Sequence, residues 1–127
     1  MSGKKAMKLK RALSTLAFCA VGFHAHAEPL AQQDYDQQIQ HYTQLIQKTK
    51  AILDEPDSTA DANAQSQAFC DRLNAYQQIV RLSQENLKLD LAPMMLKVSQ
   101  VYLEKQQQSL TSSGMTAGVF CAGKIKL

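Results

Sequence analysis

Apolar residues recur at steps of four and three from Tyr35 through Ile39, Tyr42 and Ile46 to Leu53, with Thr49 filling the one remaining position of the row. That spacing keeps one face of an α-helix apolar, and Leu45 and Ile52 widen the stripe on one side. Gln37, Gln40, Gln44, Gln47 and Lys48 occupy much of the opposite side, so the segment predicts an amphipathic helix of about five turns. Asp54-Glu55-Pro56-Asp57 ends it, because proline lacks the amide that would continue the ladder and disfavours helix at the residue before it.

A second helix is predicted from Ser58, with Asp61 three residues on, where a capping-box acid would stand. Its inner row runs Phe69, Leu73, Tyr76, Val80, Ser83 and Leu87, flanked by Ile79 and Leu82, with Cys70 on the shoulder. A joint at Lys88 to Asp90 leads into a third helix, with Asp90 as the expected N-cap and Pro93 in the first turn. Leu91, Met94, Val98, Val101 and Tyr102, with Met95 beside them, make its expected inner face, and Gln106 to Gln108 its solvated continuation. Ser112-Ser113-Gly114 marks the end, and Met115, Val119 and Phe120 precede Cys121 in a short final helix with a frayed tail. Strand alternation, internal repeats and long linkers are absent from the pattern. The expected fold is therefore all-α: a small antiparallel helical bundle of three long helices plus a short C-terminal helix, with one disulfide.

The first 27 residues break from this pattern. Five basic residues (Lys4, Lys5, Lys8, Lys10, Arg11) precede an uncharged stretch from Ala12 to Phe23 and then Ala25-His26-Ala27, the three-part layout of a secretory signal peptide. The expected cleavage follows Ala27, leaving residues 28–127 as a single helical domain without a membrane span. A retained anchor is disfavoured because the apolar part covers only about a dozen residues where a spanning helix needs roughly 20. Lipidation of Cys19 is disfavoured because Phe18 stands where a small residue is needed. Met7 is an alternative start.

Removing the leader changes the charge. It takes five of the 14 basic side chains and no acid, leaving nine basic against 11 acidic residues, so the basic footprint of a nucleic-acid-binding protein is missing and no nucleic-acid partner is expected. It also removes Cys19 and leaves Cys70 and Cys121, which in an oxidising compartment pair by default. Neither belongs to a Cys-x-x-Cys and no histidine lies close to either, so a structural bond is expected over a redox or metal site.

Candidate chemistry is sparse. His41 is the one histidine after the leader, and a haem held between it and Met94, Met95 or Met115 is the only cofactor arrangement the composition suggests. Methionines at core spacing are more often packing residues, so no cofactor and no metal are expected. No base-nucleophile pair or inward carboxylate pair is readable, so no catalytic residues are expected and the chain is not read as an enzyme. The 16 glutamines of the exported part fall mostly on outward helix sides and read as solvated surface. The row from Tyr35 to Leu53 has the spacing of a coiled-coil seam, which makes homodimerisation an alternative to intramolecular packing.

The acidic joint is the expected partner contact, because Asp54, Glu55, Asp57 and Asp61 place four negative charges within eight residues. Asp54 and Glu55 stand at the end of the first helix, where the dipole opposes negative charge. An EF-hand calcium site is not expected, since the central glycine and closing glutamate are absent. The functional expectation is an exported periplasmic or secreted protein-binding module that neutralises one envelope partner in an immunity or inhibitor role. The alternative is an envelope chaperone, a secretion-apparatus accessory or a self-associating structural protein.

Overall fold

A computed structural model describes residues 28–125, so the expected leader, the expected cleavage after Ala27, Cys19 and the last two residues lie outside the described part. Three long helices, α1 (Gln32–Leu53), α2 (Ala62–Glu85) and α3 (Ala92–Ser112), are followed by the single-turn α4 (Ala117–Phe120). No strand occurs among the described residues, and the antiparallel bundle expected from the apolar spacing is the fold observed.

Helix α2 is the spine. Both α1 and α3 pack along it, whereas close backbone approaches between α1 and α3 themselves are few. A helix covered from two sides buries more than one stripe, which is why Ala68, Cys70, Leu73, Ala75, Ile79, Leu82 and Ser83 are all buried on α2. The core divides along this spine. At one end Tyr35 of α1, Leu82 of α2 and Ala92 of α3 meet, with Leu30, Ile39, Tyr42 and Leu89 packed around them. In the middle Ile46 lies on Ala75 and Ile79, joined by Met95 from α3. At the far end Cys70 and Leu73 meet Cys121, with Phe69, Leu103 and Phe120 alongside.

The row from Tyr35 to Leu53 is used within the chain. Tyr35, Ile46 and Thr49 are buried, and Ile39 and Tyr42 pack against the core, so this seam is used in packing within the bundle. Helix α2 starts later than expected. Asp61, not Ser58, is the N-cap, its carboxylate accepting from the amide of Ala64 at 2.8 Å, which satisfies one of the orphan donors of the first turn.

The start of α3 also differs from expectation. Leu91 is the N-cap, with φ at 65° in the left-handed region, and the amide of Asp90 is instead held by the side-chain oxygen of Gln32 at 2.8 Å. Gln32 and Asn86 strap the chain together here, the Asn86 side chain accepting from the amide of Leu30 at 2.9 Å and donating to the carbonyl of Leu82 at 2.8 Å.

The largest departure is the face that α3 buries. Ala92 and Ser99 are fully buried, with Met95, Tyr102 and Leu103 packed beside them, whereas Leu91, Met94, Val98 and Val101 point to solvent. Two rows with helical period run along α3, and the one that holds Ala92, Met95, Ser99 and Tyr102 is turned to the core. The Ser99 hydroxyl is buried there without a hydrogen-bond partner.

The Cys70–Cys121 bond is present and ties the segment after α3 to α2. The ring of Phe120 meets the edge of Phe69 with centroids 5.5 Å apart, and the Gln67 amide donates to the carbonyl of Lys124 at 2.8 Å. Thr116 caps α4 by accepting from the amide of Val119.

Candidate interaction surface

The exposed row on α3 stands out from the rest of the surface. Leu91 is 61% exposed, Met94 53%, Val98 55% and Val101 43%, and Leu87 in the preceding turn is 49% exposed. Met94, Val98 and Val101 are spaced by four and three on a helix, so their side chains form one continuous ridge about 10 Å long. Single exposed apolar residues are ordinary, but a ridge of several, on the order of a few hundred Å², is how protein interaction sites look on monomers.

Leu91 heads this ridge in a backbone conformation that a branched side chain seldom adopts and that glycine would enter without cost. Its position is fixed on both sides, by the Met95 amide donating to the Leu91 carbonyl at 2.8 Å and by the Ala92 amide donating to Leu89 at 3.2 Å. Strain of this kind persists only where the surroundings impose it. Here it holds a large apolar side chain out in water.

The acidic joint is divided by the fold. Asp54 takes two hydrogen bonds from the Arg72 guanidinium, each 3.0 Å, and Arg72 also donates from Nε to the Thr49 hydroxyl at 2.6 Å. Thr49 in turn donates to the carbonyl of Ile46, so the end of α1 is pinned to α2 through a polar chain. The conflict between Asp54 and the α1 dipole is thus offset by a cation from the next helix. Asp61 is engaged as the α2 cap, and all four acids of the joint are exposed. Asp54 and Asp61 thus have partners within the chain while remaining at the surface.

The Arg72 network has a titratable consequence. Hydrogen bonding from Arg72 is the main influence holding the Asp54 carboxyl below the usual carboxylate range. Partial burial pushes the other way, and the charges of Arg72 and Lys50 add to the lowering. A lowered folded-state pKa means that the ionised form stabilises the fold above about pH 4, and that this contribution is lost as acid protonates Asp54 below that point. Asp54→Asn is therefore expected to be less stable than the parent from pH 5 to 7 and to converge with it as pH falls through 4 toward 2. Urea midpoints across that range would read the effect, and a constant gap at every pH would rule it out. Nearby, Tyr102 stacks on Tyr76 with centroids 4.0 Å apart, and burial pushes its phenol up while Arg72 opposes the shift.

His41 is exposed and meets the edge of Tyr42 with ring centroids 5.1 Å apart. Met94 lies on the exposed ridge of α3 while Met95 faces the core between α1 and α2, so the two adjacent methionines serve different surfaces. Among the described residues no group of three or more His, Cys, Asp or Glu side chains is placed to hold a metal ion, and no helix is long and apolar enough to cross a membrane. The grooves are open and shallow; one of about 500 Å³ between α1 and α2 is floored by Leu45, Ile52 and Ala68 and edged by Lys48 and Asp71.

Sequence reasoning named the ridge residues and assigned them to the core. Periodicity alone could not separate the two rows, since both recur at helical spacing. No known protein family, curated protein or solved structure matches this chain.

Proposed function

We propose that the chain is an exported, periplasmic protein-binding module that acts by docking, and that its docking face is the α3 ridge of Leu91, Met94, Val98 and Val101. The observation that carries this reading is the ridge itself, an apolar row left in water while α3 turns Ala92, Met95, Ser99 and Tyr102 to the core. A left-handed leucine at its head adds to the argument, because the strained turn leaves its own large apolar side chain 61% exposed. The role favoured for such a module is to neutralise one envelope partner, as an immunity or inhibitor protein does.

The test is capture from native periplasmic extract with the tagged protein and with a Met94→Glu, Val98→Glu variant. Both side chains are exposed, so the variant is expected to keep its thermal midpoint, while affinity for the partner falls on the order of 100-fold, the cost of losing two central interface residues. One stoichiometric partner, especially a hydrolase whose activity drops on binding, supports the inhibitor role. Many weak clients support a chaperone, and capture unaffected by the substitutions overturns the assignment of the face.

A further inference from the structure

We draw no further inference here: the strongest candidate, the apolar ridge of Leu91, Met94, Val98 and Val101 along the exposed side of α3, is bordered by acids and lysines alike, and nothing in the structure shows what covers it.

Discussion

Replacing Cys70 and Cys121 together by serine is expected to lower the stability of the fold by about 4 kcal/mol, because the bond closes a loop over a sequence separation of 51 residues and removes that loop's freedom from the unfolded chain. A small domain commonly has 5–15 kcal/mol in all, so the change is a large fraction of the total. The loss is expected to be uneven. Helix α4 has four residues and cannot stand alone, and its place depends on Cys121, Phe120 and the Gln67 contact at the far end of α2. Amide exchange should therefore rise first in residues 116–125 of the serine variant, while α1 and the middle of α2 keep their relative protection. Urea unfolding without reductant gives the global figure. A loss below about 1 kcal/mol would mean that the unfolded chain already holds these ends together, contrary to the loop-closure account.

The second large effect is at Tyr35, where the three long helices come together. Its ring is 1% exposed between Leu82 and Ala92, and its hydroxyl shares a 2.7 Å hydrogen bond with the buried hydroxyl of Ser83. Tyr35→Ala is expected to cost about 3–5 kcal/mol, the range for removing a buried aromatic and leaving a cavity. Tyr35→Phe keeps the ring and strands only the Ser83 hydroxyl, so about 1–2 kcal/mol is expected. The pair Tyr35→Phe with Ser83→Ala should cost less than the two single changes added, since each single change alone leaves a buried group unpaired. Additive single and double variants would show that the hydrogen bond contributes little and that the ring alone matters.

How much of this was legible in the chain differs from helix to helix. Helix α1 was readable because its apolar row is single, unbroken and stopped by Pro56. The disulfide was readable because only two cysteines, Cys70 and Cys121, lie beyond the first 27 residues. Helix α2 was harder: a central helix is buried on several sides, so Cys70 and Ala75 are as deep as the row that periodicity picks out. Helix α3 was read only in part: Tyr102 and Met95 pack inward as expected, whereas Leu91, Met94, Val98 and Val101 lie in water, because hydrophobicity ranks them above the Ala92 and Ser99 that the core takes. The engagement of Asp54 was not legible for a different reason. The partner that engages Asp54 is Arg72, 18 residues on and one helix away, and a local charge count cannot contain it.

The spine arrangement also sets an order of assembly. Because α1 and α3 each rest on α2 and little on each other, the α1–α2 hairpin has most of its contacts as soon as α2 exists, before α3 is delivered. A chain entering an oxidising space with its N-terminus leading would expose Cys70 well ahead of its mate. During that interval α2 would carry an uncovered flank and a free thiol, and any other cysteine it met would compete for the bond. Arrival of α3 covers the flank and carries Cys121 into place, so the lock closes on a core already built and does not have to organise one.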